Sequence, residues 1–260
     1  MADSVLYEVS DGLATVTFNR PEAMNALDTD TKNTLRDALR EAADDTAVRA
    51  VLLTATGRAF CVGQDLKEHL ATLAAGGGLT TVAEHYNPIV TAIATMPKPV
   101  VAGVNGVAAG AGAGFAFAAD YRIVADTAAF NTSFAGVALS ADSGVSWTLP
   151  RLVGHSRASD LLLFPRSVGA AEAYDLGIAN RVVPAADLPA EAVAVARRLA
   201  EGPTVAYAAI KASLAHGAAH SLLSTLAKED ELQTLAGAAE DHRIAVNAFV
   251  AKQPPRYVGR

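Results

Sequence analysis

Apolar positions along this chain change their period several times, and each change predicts an element. Residues 5–9 and 14–18 alternate apolar and polar around Asp11-Gly12, the pattern of an antiparallel hairpin with a tight turn. Leu35, Ala38, Leu39 and Ala42 then recur at helical spacing, behind Asp28 or Thr29, either of which can cap the helix. Short unbroken apolar runs at 50–54 and 100–104 suit buried parallel strands, with a helix over about 82–95 between them. Another strand is expected at 121–125. From Ser143 onward the pattern is helical except near 179–183, with helices over 191–200, 204–215, 221–236 and 241–251. Residues 71–81, which include Gly76, Gly77 and Gly78, predict a flexible loop. The rhythm is α/β, and one core domain over 1–200 with a helical subdomain over 201–260 accounts for it.

Composition narrows the classes. Hydrophobic residues make up 51% of the 260, yet no apolar run is long enough to span a bilayer uncharged, so a soluble chain with no membrane partner is expected. Much of that apolar content is alanine and exceeds what a monomer of this size buries, which points to subunit interfaces. Lys and Arg number 21 against 27 Asp and Glu, a net charge of −6 with no basic stripe, which argues against nucleic acid. The single cysteine, Cys61, has no internal disulfide partner, and no basic-then-apolar leader precedes the first strand; both fit a reducing cytoplasm.

The chemistry begins at NGVAAGAGAGFAFAAD, residues 105–120. With only small side chains from Gly110 to Gly114, a ligand can reach the peptide N–H groups that open the following apolar helix, which takes over at Phe115. Those N–H groups lack intrahelical acceptors and carry the positive end of the helix dipole, so they suit a developing oxyanion. The sixth position of a dinucleotide fingerprint is Phe115 here, and the chain has no Gly-Lys followed by Ser or Thr, so neither nucleotide motif is met. By itself the run fits either an oxyanion site or a close helix contact.

A second segment, GRAFCVGQDL at 57–66, comes after the strand-like run at 50–54. Together the two segments resemble the crotonase superfamily, the enoyl-CoA hydratase/isomerase family. ATVTFNRPEAMN at 14–25, FAGVALSADSGVSWTLPRLVG at 134–154 and FVAKQPPRYVGR at 249–260 resemble family sequence in the same order. The resemblance implies a crotonase (ClpP/crotonase-like) fold of repeated ββα units with a C-terminal helical subdomain that builds a homotrimer or a dimer of trimers. It implies an acyl-CoA substrate, with coenzyme A part of that substrate, and no separate cofactor or metal. It assigns the two oxyanion N–H donors to Gln64 and Ala111. Membership leaves substrate and reaction open.

In the hydratase branch two glutamates handle water and the alpha proton; the matching positions here are Gly114 and Phe134, and neither side chain transfers a proton. A carboxylate does occur at Asp142, in ADSG before a predicted helix. It reads either as a helix N-cap or, from the resemblance of 142–151 to relatives that isomerise ring-1,2-epoxyphenylacetyl-CoA or shift acyl-CoA double bonds, as the single acid/base. The expectation is double-bond or ring isomerisation in fatty acid or phenylacetate catabolism. The alternatives are a hydratase with another acid/base, a catalytically weak acyl-CoA-binding subunit, and a dehalogenase that uses Asp142 as nucleophile, whose histidine position is Asn87 here. Phe134 and Trp147 are candidates to line the acyl pocket.

The resemblance places coenzyme A near Arg20, Ala23, Met24 and Ala26, with Phe249 and Lys252 reaching a neighbouring subunit's nucleotide. Arg20 and Lys32 also read as ordinary solvated charges. His216 and His220 have the spacing of a zinc pair without a third ligand, and a solvated or interface helix face suits them better. Residues 154–158 brush a nucleophile elbow without its strand. Cys61 reads as a small buried hydrophobe.

Overall fold

The computed structural model describes residues 3–260. Asp11 and Gly12 both take positive φ, +52° and +79°, which turns β1 (Val5–Ser10) back on β2 (Leu13–Phe18) with Val5 opposite Phe18. Asp28 caps α1 (Thr29–Asp44) by accepting the Thr31 N–H at 2.9 Å, and the helix buries the stripe expected of it.

From there the chain repeats one unit. A strand in a large sheet leads into a short strand in a small one, and helix comes next. The first unit is β3 (Ala50–Ala55), β4 (Ala59–Cys61), α2 (Leu66–Ala74) and, after a π-type turn at Val82–Tyr86, α3 (Asn87–Thr95). The second is β5 (Val100–Val104), β6 (Val107–Ala109) and α4 (Ala111–Ala118). The third is β7 (Tyr121–Ala125) and β8 (Ala129–Asn131), then a 3-10 turn at Ala135–Val137, α5 (Val145–Val153) and α6 (His155–Leu163). The chain closes with β9 (Val168–Gly169), α7 (Ala170–Asp175), β10 (Arg181–Val183) and the helices α8 (Leu188–Ala200), α9 (Thr204–Gly217), α10 (Leu222–Ala238) and α11 (Glu240–Ala251).

The large sheet runs β1-β2-β3-β5-β7-β10, parallel from β2 onward; the small one runs β4-β6-β8-β9. Residues 51–53 of β3 and all of β5 are buried, as strands covered on both faces must be, and α8 packs across β3, β5 and β7. These are the ββα units the sequence resemblance implies. The strand and helix positions read from periodicity are all present. Two differences have physical causes. The segment at 71–81 is helical as far as Ala74, because Asp65 caps α2 with its carboxylate on the Lys67 and Glu68 N–H groups. Helix α4 begins at Ala111, four residues before Phe115, because its first turn is pressed against β4, where glycines fit: a Cβ on Gly112 would lie 2.1 Å from the Cys61 carbonyl oxygen.

Helices α9, α10 and α11 pack chiefly on one another. They are tied back by a clamp. Arg49, one residue before β3, donates to the Gly202 carbonyl at 2.6 Å, Thr204 Oγ1 at 3.1 Å and the Tyr257 carbonyl at 3.3 Å. Asp241, buried, accepts the N–H groups of Val258 and Gly259 at 2.6 and 2.9 Å.

Candidate functional site

The site forms on the seam where β4 leads into the Gln64 turn and β6 into α4. After β4 the chain turns at Gly63, φ +85°, a conformation that glycine adopts without strain. The turn also needs the space: a Cβ there would lie 3.0 Å from the Ala109 carbonyl oxygen and 3.4 Å from the Ala111 nitrogen. Gln64 then pairs with Leu27. The Leu27 N–H donates to the Gly63 carbonyl at 2.8 Å and the Asp65 N–H to the Leu27 carbonyl at 3.1 Å. Strand alternation therefore turns the Gln64 N–H away from Leu27, and it has no backbone acceptor among the described residues. On the other side of the seam the Gly110 N–H donates to the Asn131 carbonyl at 3.0 Å, which leaves the Ala111 N–H as the first orphan donor of α4. A side chain on Gly110 would meet nothing within 4 Å, so the space beside the start of α4 is open at that residue.

Asp142 sits in the strained approach to α5, where Ser143 and Gly144 have φ of +50° and +71°. The N-cap reading of Asp142 does not hold. Gly144 occupies the cap, no side chain caps α5, and the Val145 N–H bonds the Asp142 backbone carbonyl rather than its carboxylate. The carboxylate accepts the Ser143 hydroxyl at 2.7 Å. Burial pushes its pKa above the usual carboxylate range, and the Ser143 bond only partly offsets that. The same segment lies against α4: a Cβ on Gly114 would come within 2.6 Å of the Ser143 carbonyl oxygen. Tyr86 is buried nearby, with its ring edge-on to Phe115 at 6.1 Å. Its phenol is pushed far up by burial first, and then by the charges of Asp142, Cys61 and Glu68.

Phe134 is buried, but Trp147 is 45% exposed with the Arg151 guanidinium 4.1 Å from its ring, so Trp147 is not enclosed in an apolar pocket. Arg20 donates to the Ala26 carbonyl at 2.6 Å and pairs with Asp28 and Asp65 at 3.0 and 3.3 Å. It braces the loop that carries Ala23, Met24 and Ala26, and ties that loop to the Gln64 turn. Met24 and the buried Asn25 have positive φ, and Asn25 Nδ2 donates to the carbonyls of Thr56 and Ala59. Phe249, 86% exposed, and Lys252 lie elsewhere, at the end of α11, which packs on α10.

Lys32 is no solvated charge: it is 2% exposed and bonds Gln64, Glu68 and Thr81. Sequence reasoning missed this cluster and Tyr86. The available signal was a lysine on the buried stripe of α1, one turn ahead of Leu35. Cys61 is buried and its thiol is pushed up to about 12 by burial. His216 and His220 stack with ring centres 3.8 Å apart, and no group of three or more metal-ligating side chains occurs among the described residues. Ser156 opens α6 directly behind helix α5, not behind a strand. No helix of the described residues is long and apolar enough to cross a membrane.

Comparison with known proteins agrees with this fold. Residues 8–260 match the Enoyl-CoA hydratase/isomerase family. A Rhodobacter capsulatus protein named a probable enoyl-CoA hydratase is 44% identical over 258 residues, covering 99% of this chain and 98% of its own. The 1,2-epoxyphenylacetyl-CoA isomerase of Escherichia coli is 37% identical over 262 residues, covering the whole of both chains. A crystal structure from Mycobacterium abscessus, described as an enoyl-CoA hydratase/isomerase, superposes with a TM-score of 0.95 at 44% identity, covering 98% of this chain and all of that one.

Proposed function

Because the chain belongs to the enoyl-CoA hydratase/isomerase family, we propose that it isomerises an unsaturated acyl-CoA, moving a double bond or reshaping a ring, with Asp142 as its one acid/base. The observation that carries the reading is the Asp142 carboxylate, half-buried and raised in pKa beside α4, while Ser143 fills the space that a side chain at position 114 would need. A carboxylate drawn out of water is a stronger base, matched to a carbon acid.

In this mechanism the Gln64 and Ala111 N–H groups receive the thioester oxygen. Charge that develops there as the C–H bond breaks is held by two donors already aimed at it; one such donor contributes about 3 kcal/mol to a transition state. Asp142 takes the proton from one carbon of the acyl chain and returns it to another, so no water is added or lost. The braced loop with Ala23, Met24 and Ala26 lies beside the Gln64 turn and is the place for coenzyme A, which enters as part of the substrate. Phe249 and Lys252 serve the nucleotide only across a subunit boundary, and the exposed Leu222, Leu223 and Phe249 of α10 and α11 favour such a boundary in a homotrimer or a dimer of trimers. A reducing cytoplasm suits the free Cys61. Dehalogenation is disfavoured because Asn87, at the start of α3, stands where the resemblance places that branch's histidine.

Incubation with 2-enoyl- and 3-enoyl-CoA in deuterated water, with products read by mass spectrometry, tests this. Double-bond migration with deuterium gain and no added water is the expected result. Rapid formation of 3-hydroxyacyl-CoA would establish a hydratase with another acid/base, and tight binding without turnover an acyl-CoA-binding subunit.

A further inference from the structure

Residues 66–81, α2 and the turn behind it, leave the body of the protein just after Gln64 and return just before Tyr86. One side chain holds both feet of that excursion. Lys32 Nζ lies 3.0 Å from Glu68 Oε1 in the first turn of α2 and 3.1 Å from Thr81 Oγ1 at the far end. The same nitrogen lies 3.3 Å from Gln64 Oε1, which also accepts the Tyr86 hydroxyl. Glu68 is held a second time, by the Thr29 N–H at 2.7 Å and the Thr29 hydroxyl at 3.0 Å.

A lysine that is 2% exposed is a costly choice at a position facing an apolar core, and its charge is tolerable only with partners in place. One of its partners is Gln64, whose main-chain N–H is turned away from Leu27 toward the seam. We propose that Lys32 is a positioning residue: with the Tyr86 hydroxyl, its buried ammonium fixes the Gln64 side chain, and thereby the direction of the Gln64 main-chain N–H, and joins that donor to the seated position of residues 66–81. The inference rests on the reading of Gln64 as an oxyanion donor. Leu27 fixes the Gln64 peptide on one side; the amide of the Gln64 side chain is the other handle. Hydrogen-bond strength falls steeply as the donor angle opens, so a tilted N–H loses its preference for the charged oxygen while the thioester still binds.

The test is an optical probe, 4-dimethylaminocinnamoyl-CoA, whose absorption moves to longer wavelength when its thioester oxygen is polarised by N–H donors. Wild-type protein should shift it on binding. Lys32→Met should keep the dissociation constant within about threefold, lose most of the shift, and lower kcat about tenfold or more with KM little changed. Tyr86→Phe, which removes the other donor to Gln64 and keeps the ring packed, should lose part of the shift, and it carries the test alone where Lys32→Met does not fold. A full shift in both variants overturns the inference. A wild type that binds the probe with no shift overturns the oxyanion reading, and the inference falls with it. A wild-type shift lost in the variants, without double-bond migration, upholds the inference and overturns only the isomerase reading.

Discussion

A Cβ placed on Gly114 would lie 2.6 Å from the Ser143 carbonyl oxygen and 2.7 Å from the Ser143 Cβ, so the segment bearing Asp142 occupies the volume a larger residue at 114 would need. Position 114 is where the hydratase branch carries a glutamate, by the sequence resemblance. Ser143 and a side chain at 114 are alternatives in space. Gly114→Glu should therefore yield no hydratase: the expected outcome is loss of about 1–3 kcal/mol or more in a denaturant titration, with no 3-hydroxyacyl-CoA formed. Efficient water addition by this variant would show that the segment moves aside.

Asp142→Asn should separate activity from stability. Loss of the proton carrier lowers isomerisation by about 10²–10⁴-fold. Burial raises the folded pKa of Asp142 above its unfolded value, so the folded protein binds the proton more tightly. Stability from this group then falls as pH rises from the unfolded to the folded pKa, and the deficit persists at neutral pH. The amide removes it and still accepts the Ser143 hydroxyl, so the thermal midpoint at pH 7 should rise above wild type and the two should converge in acid. In wild type, kcat/KM should climb with pH through an acid limb displaced upward from the usual carboxylate range. A variant as active as wild type would end the role of Asp142 as base.

Cys61 should be inert. It is buried with its thiol near 12, so a disulfide reagent at pH 8 should modify it only at the rate of unfolding, and stoichiometrically in denaturant. Fast labelling of native protein would mean that the β4 seam opens.

The sequence was legible where a period or a cap persists over many residues. The hairpin at Asp11-Gly12, the stripe of α1 and the four C-terminal helices are read directly from it. The small sheet is not, because β4, β6 and β8 are three residues each and β9 two, too short to show an alternation. The glycine-rich run and GRAFCVGQDL located the seam, yet what makes it a seam, Gly63 against Ala109 and Gly112 against Cys61, is a contact between segments about fifty residues apart in the sequence. From its neighbouring residues alone Asp142 reads as a cap, and only the resemblance favours a base, since the two differ in where the carboxylate points. Lys32 was read as a solvated charge because a residue type sets an expectation of exposure that three converging oxygens can overrule.

The bond from Arg49 to the Tyr257 carbonyl joins residues 208 apart in the chain. Closing so long a loop costs more entropy than any local pairing, and topology of that kind is satisfied late. β3, whose root Arg49 occupies, pairs with β2 and β5 through residues far nearer in sequence than that clamp. The strands and both halves of the seam are all supplied by residue 183, so the clamp is what ties the last three helices to a core built from other parts of the chain.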